Sequence, residues 1–267
     1  MLIDLHVHTS RYSACGRGEP EEMVTAAQRF GLDALVFTEH HVRWGREELA
    51  ELQRALPRVK LFAGVEITSE EAGDLLVIGA HGRDWFAPRM PAEDVVAEAH
   101  ARGGIVIAAH PFRPGYPSDR LDQLALDGIE VHSVHMHQEA HERAARLAER
   151  CGLRQVSTSD AHSPEMVGLY ALRLDRPAAS EQELAEMVLA GAYVMEANAS
   201  RLAALNRERQ PAWRRAARLI DEGRNDAEVV AMAGGIGYTE TRLLREGQAL
   251  GWPMPAEIEH VGQPRGR

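Results

Sequence analysis

Cysteine is scarce. Cys15 and Cys151 are the only two in 267 residues, which excludes a disulfide framework and leaves each thiol for packing or for a metal, with a buried thiol as the default. Long apolar runs are missing too: nothing approaches the ~18 consecutive apolar residues of a membrane-spanning helix. The strand-like opening Met1-Leu-Ile-Asp-Leu-His leaves no room for a signal peptide, so a soluble, cytoplasmic protein with no membrane partner is expected. Basic residues are in deficit, 30 against 40 acidic, for a net charge of −10. Such a field repels a phosphate backbone and disfavours general nucleic-acid binding. Neither a G-x-G-x-x-G turn nor a P-loop follows any strand-like run, which argues against nucleotide cradling by a glycine loop. Repeats and low-complexity segments are absent.

What is present is a rhythm. Short apolar, β-branched runs occur at Leu2–Val7, Ala34–Phe37, Val59–Ile67, Leu75–Ile78, Gly104–Ala108, Gly128–Val131 and Gln155–Thr158. Amphipathic stretches separate them near Glu21–Phe30, Glu47–Leu56, Ala92–Arg102, Leu121–Leu126, Gln138–Cys151 and Glu181–Leu189. The alternation predicts an α/β fold with a parallel sheet and crossover helices. About seven strands over 200 residues suit a closed barrel better than an open doubly wound sheet, although periodicity alone does not separate the two.

From residue 201 the β pattern stops. Three helical stretches follow, Pro211–Glu222, Asp226–Ala233 and Thr239–Leu250, punctuated by Gly223, Gly234-Gly235 and Gly251. The expected organisation is therefore residues 1–200 as the barrel and residues 201–267 as a small all-α appendage with Trp213, Leu219, Leu243 and Leu250 in its core. The appendage holds 11 Arg against 9 acidic residues, whereas positions 1–200 hold 19 basic and 31 acidic. The last two helices, with Arg242 and Arg245 on the second, have the outline of a helix-turn-helix. A net charge of only +2 and the interruption by Glu240 and Glu246 favour a cap on the barrel over a DNA-reading module.

Histidine is in excess. Eleven of the 13 fall before residue 142, and neutral imidazole is the commonest protein metal ligand. His6 and His8, two apart at the end of the first strand, point to the same side. His40 follows Leu35-Val-Phe-Thr-Glu, Glu66 ends Phe62-Ala-Gly-Val, His110 ends Ile105-Val-Ile-Ala-Ala, and Asp160 with His162 ends Val156-Ser-Thr-Ser. Five strands thus deliver ligand-type side chains to one rim, the face where barrel enzymes assemble their chemistry.

In this order, Asp4-Leu-His-Val-His-Thr, Tyr12-Ser, Thr38-Glu-His, Gly64-Val-Glu, His110-Pro and Ser159-Asp-Ala-His-Ser-Pro resemble the motifs of the polymerase-and-histidinol-phosphatase (PHP) family of metal-dependent phosphoesterases. Any one is weak; six in sequence across residues 1 to about 195 are specific. The resemblance implies a distorted (β/α)7 barrel, PHP/TIM-like, with two or three divalent metal ions (Zn, Fe or Mn) at its mouth. It implies that His6, His8, Glu66 and Asp160 hold a first metal, that Glu66 bridges to a second held by His110, and that His40 and His162 serve a third. Cys15 stands where the family usually has Asp or His, and a thiolate there is a softer ligand that disfavours manganese and magnesium. Where many members have Asp before the third-metal histidine, this chain has Glu39.

The run Glu130-Val-His-Ser-Val-His-Met-His offers one more ligand. His132 shares a strand face with Glu130 and is the candidate for the second metal, while His135 and His137 read as solvated or capping imidazoles. The reaction implied is hydrolysis of a small phosphorylated substrate, a phosphomonoester, by water that the metals activate. Glu66 and Asp160 offset the cationic charge. Arg113, three residues past His110, suits phosphate geometry, with Arg43 a second choice. Leaving-group protonation falls to a metal-held water, His41 or Asp160. The alternatives are a nuclease or nucleic-acid-end phosphatase, a DNA-binding protein using the C-terminal helices, and a non-catalytic PHP scaffold.

Overall fold

The computed structural model describes residues 1–113 and 117–250, without the side chains of Thr239 and Leu250. The core expected of Leu250 and the tail 251–267 therefore lie outside the described residues. The fold is mixed α/β. One five-stranded sheet has β1 (Leu2–Val7) at its centre, flanked by β2 (Ala34–Phe37) and β3 (Lys60–Ala63) on one side. β9 (Tyr170–Leu174) and β10 (Tyr193–Ala197) flank it on the other. The second sheet runs β4 (Val65–Thr68), β5 (Asp74–Ile78), β6 (Ile105–Ala108), β7 (Gly128–His132) and β8 (Arg154–Ser157) in chain order.

The run Val59–Ile67 reads as one strand but forms two. Gly64 divides it: a Cβ there would sit 3.0 Å from the Thr38 methyl and from the Val77 carbonyl oxygen, so a larger residue would crowd the chain where it crosses between the sheets. β3 then pairs parallel with β2, whereas β4 pairs antiparallel with β5. Antiparallel pairing recurs at β5–β6, β1–β9 and β9–β10. Because of these reversals, no single closed ring of seven parallel strands forms among the described residues; isolated bridges Val7–Ala161 and His40–Glu66 join the two sheets instead. β9 and β10 escape the apolar pattern because each carries a charged residue mid-strand, Arg173 and Glu196, that pair with one another at 2.7 Å.

The connecting helices are α1 (Pro20–Arg29), α2 (Arg46–Ala55), α3 (Ala92–Ala101), α4 (Gln138–Cys151) and α5 (Glu181–Ala190). The helix expected at Leu121–Leu126 shrinks to a single 3-10 turn, Leu121–Gln123. Ile3, Leu5, Val36, Phe62, Leu76, Ile107 and Val156 form one buried cluster drawn from both sheets. Each such side chain removed from water stabilises the fold by ~1.5–3 kcal/mol, which makes a rigid base for the polar strand ends above. Cys15 and Cys151, expected to be buried thiols, are both exposed. No described helix is long and apolar enough to cross a membrane.

Three helices follow: α6 (Ala199–Asp221), α7 (Asp226–Ala233) and α8 (Tyr238–Leu250). Pro211, read as a helix start, lies inside α6; the helix begins earlier, where the Asn198 side chain accepts from Arg201 N at 3.2 Å. Leu202 and Leu205 join the cluster of Val7, Met23 and Phe37 from the first sheet and its helices. Trp213, Ala216, Val229, Ala233, Ile236 and Leu244 make a separate small core, with Leu219 packed against it.

Candidate metal centre

β1 carries Asp4 and His6, with His8 directly after its last residue, and its register against β2 shifts between Asp4 and Val7. Asp4 is not among the ligand groups. Its carboxylate accepts from the backbone N–H of Ser159 at 3.0 Å, Gly168 at 2.9 Å and His6 at 3.3 Å, clamping β1 to the loop that carries Asp160. Burial pushes its pKa up to about 6, although those hydrogen bonds pull the other way.

His6 Nε2 and His8 Nε2 face each other at 2.9 Å, fully buried. Their other nitrogens define what those faces present. Glu130 Oε1, an acceptor only, takes the His6 Nδ1 proton at 2.8 Å. Ser13 Oγ spends its proton on Glu39 Oε2 at 2.6 Å, so it accepts from His8 Nδ1 at 3.2 Å. Both Nε2 lone pairs therefore point into the same small space, an arrangement that demands a cation between them. The same space is lined by Glu66 and Asp160. Glu66 Oε1 lies 3.4 Å from His6 Nε2 and Glu66 Oε2 lies 3.2 Å from His8 Nε2, with Asp160 Oδ1 at 3.3 and 3.4 Å from the two imidazoles. Asp160 Oδ1 is buried and accepts no hydrogen bond.

Glu66 is the hub. Its Oε1 is also 2.9 Å from His110 Nε2, and its Oε2 is 2.9 Å from His40 Nδ1, so four imidazoles share one carboxylate. Four donor groups have ligand atoms within 4.8 Å of one another: His6, His8 and Asp160; His6, Glu66 and His110; His8, Cys15 and His40; and His135, Asp160 and His162. In the protein without metal, protons take the place of cations. Burial opposes a charge on His6, yet Asp160, Glu130 and Glu66 hold it well above the usual imidazole range. Glu66 and Cys15 likewise overcome burial and push His40 up to about 11. Glu66 and Asp160 are held well below the carboxylate range despite burial, by His40 and His6 around Glu66 and by His6, His162 and His135 around Asp160. His162 goes the other way: burial and the neighbouring His8 and His135 lower it, against Asp160.

Backbone strain collects here. His41, His110 and Asp160 have φ of 56°, 27° and 49°, a region that costs a non-glycine residue about 1–3 kcal/mol and persists where surrounding contacts enforce it. The contacts are visible: His110 N donates to Glu130 Oε2 at 2.6 Å and His41 N to the Glu66 carbonyl at 2.8 Å. Glu39, which stands where many family members have Asp, accepts from Thr9, Ser13 and Trp44 and fixes the loop after β1.

Thus His6, His8, Cys15, His40, Glu66, His110, Asp160 and His162 are brought together. His132 is not. The β7–β8 register shifts between Glu130 and His132, which breaks the alternation assumed for them; the His132 ring stacks on Tyr170 at 5.7 Å and meets His141 edge-on at 4.9 Å. His135, read as solvated, comes in instead: it is buried, with Nδ1 2.8 Å from Asp160 Oδ2. His137 caps α4, accepting from Ala140 N at 3.2 Å. Arg113 is buried between Asp74 Oδ2 at 3.6 Å and Asp160 Oδ2 at 3.7 Å. Arg43 is turned away, its guanidinium donating to the carbonyls of Ala63, Ala80 and Gly82. His41 is half-buried beside His40, and burial followed by that neighbour's charge lowers its pKa.

Sequence reasoning missed Asp74 and Glu240. Asp74 is buried at the start of β5 with both oxygens lacking a hydrogen bond, and a carboxylate opening an otherwise apolar strand was the available signal. Glu240 arrives from α8. It lies 3.6 Å from His135 Nε2 and 3.4 Å from Arg209 Nη1. Burial would raise its pKa, but His135, Arg209 and Arg17 hold it low.

A family model described as PHP-associated matches residues 138–193. An uncharacterized protein of Methanocaldococcus jannaschii is 28% identical over 147 residues, 51% of this chain and 83% of that protein. Among solved structures, a Bifidobacterium adolescentis protein described as a metal-dependent phosphoesterase aligns with TM-score 0.53 and 19% identity, over 61% of this chain and 88% of that one. PsfC from Pseudomonas syringae aligns with TM-score 0.53 and 23% identity, over 69% and 87%. An amidohydrolase from Chromobacterium violaceum, with bound sulfate and no metal, aligns with TM-score 0.52 and 19% identity, over 74% and 99%. The structural likenesses speak to the fold. Together with the matched family model they bear out the PHP-family resemblance carried by the sequence motifs.

Proposed function

We propose that this chain is a metal-dependent phosphoesterase that hydrolyses a small phosphomonoester, on a barrel-like frame of the distorted PHP type. The observation that carries the reading is Glu66, buried and shared by four imidazoles, two of which face each other through their Nε2 atoms at 2.9 Å. His6, His8, Glu66 and Asp160 would hold one cation, Glu66 and His110 a second, and His40 and His162 a third, with Cys15 beside His40 as a further donor. Cys15 favours zinc or ferrous iron there. Divalent cations so held supply Lewis-acid polarisation of phosphoryl oxygens and ionise the attacking water at neutral pH.

The protein's own groups do the rest. Glu130 and Ser13 fix the tautomers of His6 and His8, as hydrogen bonds to the far nitrogen of a ligating imidazole do. Arg113 presents two N–H edges beside Asp160, suited to non-reacting phosphoryl oxygens. His41, whose pKa is lowered by burial and by His40, suits accepting a proton rather than giving one to the leaving group. Two exposed thiols suit a reducing compartment, and a cytoplasmic location belongs to the same proposal.

The appendage supports a cap rather than a duplex reader. Arg245 donates to Asp226 Oδ1 at 2.9 Å, Arg242 lies 3.9 Å from the same carboxylate, and Glu240 is turned inward. Turnover of a panel of phosphomonoesters and short oligonucleotides with added manganese, zinc or iron tests the proposal. Metal-dependent release of phosphate from a monoester is expected; hydrolysis confined to oligonucleotides would favour the nuclease reading, and no turnover with metals bound would favour a scaffold.

A further inference from the structure

We propose that Glu240, contributed by the C-terminal helices, is a positioning residue for the metal centre, orienting His135 so that its Nδ1 is turned toward Asp160 and His162. The inference rests on the phosphoesterase reading and gives the appendage a part in that site. His135 lies between β7 and α4, in a turn closed by Met136 N donating to the Ser133 carbonyl at 3.2 Å. No strand or helix fixes its ring, so its orientation comes from what its two nitrogens touch. Nδ1 meets Asp160 Oδ2 at 2.8 Å, and Nε2 faces Glu240 Oε1 at ion-pair distance, 3.6 Å. A carboxylate behind a ligating imidazole fixes the ring and raises its basicity.

Glu240 is itself held. Gly237 N donates to its Oε2 at 2.9 Å, and Arg209 from α6 lies 3.4 Å from its Oε1. Arg209 also reaches to 3.8 Å from Glu165, three residues beyond His162. A carboxylate buried inside a helical bundle costs several kcal/mol unless it is paired. Here the pairing partners come from α6 and from the barrel, so the charge sits where α6, α8 and the metal-binding loops meet rather than in the appendage's own apolar core.

The test is calorimetric titration of the full, metal-stripped chain with zinc alone, comparing Glu240→Ala and Glu240→Gln with Val229→Ala, which perturbs the appendage core without touching the site. Glu240→Ala should weaken one zinc-binding step by about 10–100-fold and leave the tightest step unchanged. Glu240→Gln keeps an acceptor oxygen toward Nε2 and should restore part of the loss, and Val229→Ala should bind zinc as the unsubstituted chain does. Unchanged zinc binding in Glu240→Ala, or an equal loss in Val229→Ala, would overturn the inference while leaving the phosphoesterase reading intact. An unsubstituted chain that takes up no zinc would overturn both.

Discussion

Glu66→Gln is nearly isosteric, so it removes a charge without opening a cavity. In the structure each Glu66 oxygen serves two imidazoles, at 3.4 and 2.9 Å from Oε1 and at 3.2 and 2.9 Å from Oε2. An amide would turn an N–H toward one of these pairs and withdraw the negative charge from both sides. Removing a unit charge about 4 Å from a bound cation costs ~4 kcal/mol at an effective dielectric of ~20, which is about a thousandfold in affinity. Since one carboxylate serves two neighbouring cations, both binding steps should weaken. His162→Asn changes a neutral side chain near the rim and should weaken one. Metal equivalents measured by elemental analysis after equilibration at low free metal, with circular dichroism confirming the fold, decide the matter. If Glu66→Gln keeps two equivalents with affinities within about threefold of the unsubstituted chain, Glu66 is not the shared carboxylate.

Arg113→Lys should raise KM for a phosphomonoester with metal content unchanged, because a lysine ammonium lacks the planar fork; unaltered kinetics would remove Arg113 from the substrate site. Asp4→Asn sets an amide N–H2 against backbone N–H groups and should destabilise the fold by about 1–3 kcal/mol, read as a fall in Tm of about 2–4 °C per kcal/mol. Asp4 titrates at about 6 in the folded state against 3.8 ordinarily, so its contribution to stability is present below pH 3.8 and is lost as pH rises toward 6. The difference in Tm between the unsubstituted chain and Asp4→Asn should narrow over that interval; a widening gap would contradict the sign. With His40 held up to about 11 and His6 also raised, metal must displace protons near pH 7, so affinity should rise with pH. Calorimetry in two buffers of different ionisation enthalpy should detect proton release, and its absence would refute the proton-for-metal exchange.

Much of the site was legible because it lies at strand ends. His6 and His8 end the first apolar run, Glu66, His110 and Asp160 each follow one, and a period of two was read as setting which side chains share a face. That rule failed at His132, where an irregularity in β7 cancels the alternation and sends His135 to Asp160 instead. No sequence pattern announces such a shift. Asp4 stood in the leading motif yet works through its backbone partners, which only three-dimensional neighbours reveal. In the fold, Gly64 divided one apolar run into two strands of different sheets, because glycine spacing does not state what lies opposite a missing Cβ. Glu240 was legible only as an interruption among arginines; its contact with His135 spans more than a hundred positions and depends on how α8 docks.

The most direct test measures metal and turnover on one preparation: the 267-residue chain purified without chelator, analysed for metal, and assayed on a phosphomonoester before chelation, after chelation and after metal is restored. The expected result is at least two divalent ions per chain, with phosphate release that disappears on chelation and returns with metal. Fewer than one ion per chain after reconstitution, or turnover indifferent to chelator, would contradict a metal centre built on His6, His8, Glu66 and Asp160.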